Sequence, residues 1–182
     1  MSKSEQRAAV LAARRALSPE RRRELSLRIC EKLLTLCPEG PVMSYLALPE
    51  EVDLSALHQA LREAGVPLAF PRCREDGSLE ARIPQGELVR GRWGVREPDP
   101  AASLLLPPEA LRLVICPCLG FDDGGRRLGH GAGCYDRFLP LCTHARVLTA
   151  AFQVQRLDRV ETENHDRDMD GVVTEEKVLI FR

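Results

Sequence analysis

The sequence predicts an α/β protein: a three-layer α/β/α sandwich around a mostly parallel sheet, with Rossmann-like topology, in a single domain over residues 1–182. Three observations predict it. Short apolar runs alternate with segments of helical periodicity. Several runs are nearly continuous in apolar residues, as strands buried on both faces are. Polar or glycine-rich residues follow these runs, at the end where open α/β sheets place ligands. The composition, 44% hydrophobic and 29% charged, is ordinary for a globular chain with a real core.

Residues 4–17 carry Ala8, Val10, Leu11, Ala12 and Leu17 among strong helix formers, which predicts a first helix. Lys3 and Arg7 lie four apart near its start and share a face, either solvated or turned to an anion. Ser18-Pro19-Glu20 reads as an N-cap followed by proline at the first helical position. That second helix runs through Leu33 and Leu34 and stops before Pro38 and Gly40.

Val42 to Leu48, between Pro41 and Pro49, predicts a buried parallel strand with Glu50 and Glu51 at its carboxyl end. Asp53 is placed to cap a helix carrying Leu54, Leu57, Leu61 and Ala64. Val66 to Phe70 predicts a second strand ended by Pro71-Arg72, completing a βαβ unit. Asp76-Gly77 marks a turn between two edge strands, and Trp93 to Pro98 a shaped loop. The single tryptophan there is either a packing anchor or a ligand-stacking surface.

Leu111 to Cys116 predicts a strand that opens into a loop with five glycines, Gly124, Gly125, Gly129, Gly131 and Gly133. Glycine lets main-chain N–H groups approach an anion and permits positive φ. Arg126 and Arg127 bring positive charge, and Asp136 a hard oxygen ligand. The pattern suits phosphate binding. No Gly-Lys-Ser/Thr follows, so it is not a Walker A loop, and Cys134 breaks a dinucleotide fingerprint. Tyr135 to Cys142 predicts a helix, and Val147 to Phe152 a buried strand with Gln153 and Gln155 beyond it. The last strands fall at Gly171 to Thr174 and Val178 to Phe181.

Net charge is −1, which argues against nucleic acid or an anionic membrane as partner. The charge is uneven: residues 1–32 hold nine Lys/Arg against four Asp/Glu, and residues 158–176 eight acids against two arginines. Either the two ends pair structurally, or the basic end meets an anionic ligand. Seven cysteines without a CxxC pair read as reduced thiols in a cytoplasmic protein. No apolar run approaches the roughly 20 residues of a membrane span.

The run Gly120-Phe121-Asp122, then Arg127-Leu128-Gly129-x-Gly131-x-Gly133, then Tyr135-Asp136-Arg137 resembles the signature of the 5-formyltetrahydrofolate cyclo-ligase (methenyltetrahydrofolate synthetase) family. Lys3 with Arg7, Leu46 through Asp53, Gly94 to Pro98, Ala151 to Gln153, and His165 through Thr174 resemble other elements of that family in order. The resemblance implies ATP- and Mg²⁺-dependent closure of 5-formyltetrahydrofolate to 5,10-methenyltetrahydrofolate through a phosphorylated formyl oxygen, with ADP and phosphate released.

Lys3, Arg7, Arg127, Leu128, Gly129, His130, Gly131, Ala132, Gly133, Cys134 and Tyr135 would then bind nucleotide. Leu46, Glu51, Trp93, His130 and Cys134 would face the folate, with Arg72 or Arg96 for its glutamate tail. Asp136 and Asp170 would hold Mg²⁺, and Arg127 and Asp136 are the expected catalytic pair. A monomer with only small-molecule partners is expected. Two positions depart from the family: Ala132 stands where many members have lysine or glycine, and Cys134 where many have an aromatic. Two alternatives follow: a non-catalytic nucleotide- or folate-binding homologue, and an ATP-dependent enzyme for another formylated small molecule.

Overall fold

The computed structural model describes residues 2–91, 94–162 and 167–181. Eight strands form one sheet in the order β12-β11-β10-β7-β1-β2-β3-β6. Its centre is parallel: β11 (Gly171–Val173), β10 (Arg146–Ala150), β7 (Leu113–Cys116), β1 (Val42–Met43) and β2 (Leu68–Cys73). The flanks are antiparallel: β12 (Val178–Ile180), β3 (Leu79–Pro84) and β6 (Ser103–Leu106). Two small hairpins lie outside it, β4 (Leu88–Arg90) with β5 (Arg96–Pro98) and β8 (Gly120–Phe121) with β9 (Arg127–Leu128).

The period-two alternation of the central strands divides the core. Val42, Leu113, Ile115 and Leu148 point to one face, under α2 (Pro19–Leu34) and α3 (Ser55–Glu63), which contribute Leu25, Ile29, Leu33, Leu57 and Leu61. Met43, Val114, Cys116 and Val147 point to the other, where α4 (Cys134–Phe138) and the 3₁₀ turn after it supply Phe138 and Leu139. The result is the layered, mostly parallel architecture that the alternation predicts. The second face has a thin cover, a five-residue helix rather than a pair of long ones.

Sequence-coded caps fix the helix starts. Ser2 and Glu5 form a capping box at α1 (Lys3–Arg15), so Lys3 and Arg7 do sit at the beginning of a helix. Ser18 caps α2 with Pro19 in the first turn. Asp53 acts one residue earlier than a standard N-cap, its Oδ1 accepting from Ser55 N at 2.9 Å.

Three expectations change. The strand predicted over Val42–Leu48 ends at Met43, and Leu48 is exposed. A turn closed by Glu51 N to Leu48 O at 2.9 Å lifts the chain off the sheet. Pro71 does not end β2, because beyond Ala69 that strand pairs, among the described residues, with β3 alone and tolerates proline as an edge does. The five-glycine loop is two structures. Gly124 and Gly125 turn the β8–β9 hairpin, and only Gly129 to Gly133 form an open loop.

The cysteines are free, in agreement with the reading of reduced thiols. Burial pushes the Cys116 thiol up to about 12 and the Cys118 thiol up to about 11. His58 on α3 is buried, 2.8 Å from Ser44 Oγ and edge-on to Phe70. Burial, and then the Arg62 charge, lower its pKa from 6.5 to about 4. The unfolded chain therefore binds a proton that the fold refuses between those values, so this stability is complete above pH 6.5 and lost as pH falls toward 4. From pH 7.5 to about pH 5 the wild type should lose about 2 kcal/mol more than His58→Gln, read from urea unfolding midpoints. Equal losses would show that His58 does not carry the proton.

Candidate active site

The site lies at the carboxyl ends of β7 and β1. Beyond Cys116 the chain passes Pro117 into the β8–β9 hairpin, whose shape depends on Asp122. That carboxylate is 2% exposed and accepts from Gly124 N, Arg126 N and Val160 N at 2.9–3.1 Å. Arg126 also pairs with Asp122 at 3.3 Å, so it serves the hairpin, and it does not line the cleft.

Arg127 takes the opposite direction. Its side chain, 6% exposed, donates through Nη2 to Asp136 Oδ1 at 2.9 Å and through Nη1 to Pro117 O at 3.4 Å. The guanidinium carbon lies 5.6 Å from the centre of the Tyr135 ring. Arg127 thus closes the loop between its own strand and α4. Gly131 at φ +102° and Gly133 at φ +66° make the bend, which side chains with a Cβ rarely adopt. None of the amides of residues 129–133 donates to another described group. Arg7 Nε donates to Gly129 O at 2.9 Å and brings the start of α1 over the loop.

A polar cleft of about 260 Å³ results, lined by Lys3, Arg7, Pro117 and every residue from Arg127 to Asp136. All the nucleotide candidates read from the sequence therefore meet at one place. Asp136 belongs to it with Oδ1 engaged by Arg127, while Oδ2 accepts from no described group. No group of three or more His, Cys, Asp or Glu side chains forms a metal cage among the described residues. A lone carboxylate with one open oxygen still fits Mg²⁺, which takes one or two carboxylates together with phosphate and water oxygens.

Asp170 does not join it. Its Oδ2 accepts from Val147 N at 2.7 Å, at the amino end of β10, the opposite edge of the sheet from the loop. There it ties β10 to the start of β11, an occupation that the polar run around it could not reveal. Trp93, His165 and Asp166 lie outside the described residues.

A second cleft of about 290 Å³, mostly apolar, adjoins the first. Tyr45, Leu46, Leu48, Pro71 and Val95 wall it, with Glu51 at one side. Pro117, His130, Cys134 and Tyr135 belong to both clefts. Glu51 is buried; its Oε2 accepts from Leu48 N at 3.0 Å and its Oε1 stands 3.4 Å from His130 Nε2. Burial pushes the Tyr135 phenol well above its usual value near 10, and its oxygen has no partner among the described residues. Arg96 is exposed at this cleft, whereas Arg72 is held by Glu80 at 3.4 Å and Glu97 at 3.9 Å.

Sequence reading passed over several wall residues, among them Pro71, Cys73 and Glu97. Glu97 was visible inside the Gly94–Pro98 element; the other two carried no signal. Glu97 Oε2 accepts from Cys73 N at 3.3 Å and docks the β4–β5 hairpin on β2.

A mostly parallel sheet with a polar glycine-loop cleft and an adjoining apolar cleft at its carboxyl ends is the arrangement of small-molecule enzymes. Residues 1–175 match the model of the 5-formyltetrahydrofolate cyclo-ligase family, and the chain belongs to that family of folate-metabolising ligases. A 5-formyltetrahydrofolate cyclo-ligase of Mycolicibacterium smegmatis is 33% identical, covering 98% of this chain and 96% of the relative. That of Escherichia coli K12 is 30% identical over 91% and 96%. The NMR structure of Aquifex aeolicus 5,10-methenyltetrahydrofolate synthetase superposes with a TM-score of 0.87 at 30% identity, over 100% of this chain and 94% of that one.

Cys73 and Cys134 both line the apolar cleft and are partly exposed, while Cys30, Cys116, Cys118 and Cys142 are buried. Cys37, outside that cleft, is partly exposed as well, so a thiol reagent should modify Cys37, Cys73 and Cys134 first in the native protein and all seven cysteines after unfolding. Mass mapping that finds Cys116 or Cys118 modified as fast as Cys134 would contradict the packing described.

Proposed function

We propose that this chain closes 5-formyltetrahydrofolate to 5,10-methenyltetrahydrofolate with ATP and Mg²⁺, releasing ADP and phosphate. One observation carries the reading: the polar and apolar clefts meet on Pro117, His130, Cys134 and Tyr135. A reaction that moves a phosphoryl group onto a formyl oxygen needs such a junction, with charge stabilisation on one side and a water-poor wall on the other.

A formamide carbonyl is a weak electrophile, and its oxygen leaves readily only as phosphate. ATP with Mg²⁺, when bound, supplies the phosphoryl group that converts that oxygen into a leaving group. The chain's own residues bind and orient. The loop amides and the Lys3, Arg7 and Arg127 side chains face the polyphosphate side. Asp136, through Oδ2, is the one residue we assign to the metal. Leu46, Glu51 and Tyr135 receive the folate on the apolar side. Positioning and charge neutralisation carry most of the catalysis in phosphoryl transfer, so no nucleophilic side chain is required.

Ala132 and Cys134 are compatible with this assignment. At 132 the loop offers a main-chain amide, with Lys3, Arg7 and Arg127 around the same cleft supplying charge. Cys134 lines both clefts, its sulfur 3.8 Å from Ala132 O and 3.9 Å from Arg137 Nη2.

Purified protein with MgATP and 5-formyltetrahydrofolate should develop the absorbance of the methenyl product with one ADP formed per ring closed. ATP binding without product would oppose the reading, and so would turnover only with a different formylated compound. Asp136→Asn, which keeps the shape, should lower kcat about 100-fold or more, and Arg127→Lys, which keeps the charge but loses the fork, about 10-fold or more. Both should fold, as judged by circular dichroism. Wild-type rates in either variant would remove that residue from the catalytic pair.

A further inference from the structure

Ring closure poses a proton problem that the binding residues above do not solve. N10 of the substrate carries a hydrogen that the methenyl product lacks, so a group at the junction of the clefts must accept it. Four side chains belong to both clefts. Pro117 has no titratable group. Burial pushes the Tyr135 phenol well above 10, so it is no base near neutral pH. The Cys134 sulfur is directed to Ala132 O and Arg137. The remaining one is His130, an imidazole, the side chain whose ordinary range spans neutrality.

Its surroundings suit the task. His130 is 45% exposed on the cleft side, and its Nε2 faces Glu51 Oε1 at 3.4 Å. Glu51 is fixed in turn, because Oε2 accepts from Leu48 N at 3.0 Å. A buried carboxylate facing Nε2 favours the tautomer with the hydrogen there and leaves Nδ1 as a free acceptor, the logic of a base oriented by an acid. The other charged groups at the two clefts are Lys3 and Arg7 from α1, Arg127 from β9, Asp136 from α4, and Arg96 and Glu97 from β5. Of all the charged groups at the clefts, Glu51 is the carboxylate that stands 3.4 Å from the imidazole.

We propose that His130 is the general base of ring closure, with Glu51 as its positioning residue. The inference rests on the reaction proposed above, with a nucleoside triphosphate as phosphoryl donor. The lone pair of N10 forms the bond to the phosphorylated formyl carbon while the π pair of its C=N5 bond moves onto N5. The N10–H bond then breaks, its electron pair staying on nitrogen and its proton moving to Nδ1 of His130. As the carbon–oxygen bond breaks, its electrons leave with the phosphate, and the nitrogen pair delocalises into the amidinium. His130, which borders both clefts, passes its proton to the departing phosphate and is restored.

The test is steady-state and single-turnover kinetics from pH 5.5 to 9 on wild type, His130→Gln, His130→Gly and Glu51→Gln. His130→Gln should keep KM for both substrates within about threefold and lose about 100-fold or more in kcat. Its kcat should no longer rise through the range of an imidazole. Added imidazole should restore part of the rate of His130→Gly. Glu51→Gln should shift the acidic limb of the wild-type profile to lower pH, which a purely structural role would not do. An active wild type beside a His130→Gln variant with unchanged kcat and pH profile would overturn this inference alone. The same holds if that variant's defect lies entirely in KM. A wild type that binds both ligands and makes no product would overturn the parent reading and this step with it.

Discussion

The buried guanidinium of Arg127 is the constraint on which the rest of the site depends. A charge that is nearly shut off from solvent must be paired, and removing one partner of such a pair costs several kcal/mol. Arg127 meets that demand with Asp136, the Pro117 carbonyl and the Tyr135 ring, which belong to the segments on either side of the glycine loop. Pairing this one charge therefore pulls the two ends of the loop together. The amides of residues 129–133 donate to no described group, and these residues line the cleft.

The same contacts set the place of the second cleft. Tyr135 lies under Arg127 on one side and forms the wall of the apolar cleft on the other. The loop therefore locates both clefts relative to one another through a single aromatic ring. Support comes from further away. Asp122 fixes the hairpin that delivers Arg127, Arg7 holds α1 over Gly129, and Glu97 docks the β4–β5 hairpin beside Val95. Each is a polar side chain whose partner is main chain, so each sets backbone position.

Much of this was legible in the sequence, and the limits have physical causes. Apolar periodicity and the Ser18 cap located the helices and the central strands, because those signals act over a few residues, whereas the Ser2 cap of α1 emerged only from the structure. The run of Val42 to Leu48 misled, because a cleft wall and a buried strand ask for the same side chains; Leu46 and Leu48 belong to the wall. Five glycines looked like one loop, although two belong to a hairpin turn that Asp122 organises. Arg126 and Arg127, adjacent in sequence, diverge: Arg126, in the turn before β9, pairs with Asp122, and Arg127, the first residue of β9, with Asp136. Asp170 looked like a ligand and proved to be a tie between strands. The approach of Glu51 to His130, 79 residues further along, is tertiary and had no local signal.

In the proposed function, one junction holds the end of a triphosphate against a formyl oxygen. A crystal structure with a non-hydrolysable ATP analogue, Mg²⁺ and 5-formyltetrahydrofolate tests it most directly. The account predicts the terminal phosphate on the amides of residues 129–133 and the formyl oxygen facing it beside His130 and Tyr135. A triphosphate seated on another face, with the glycine loop empty, would contradict it.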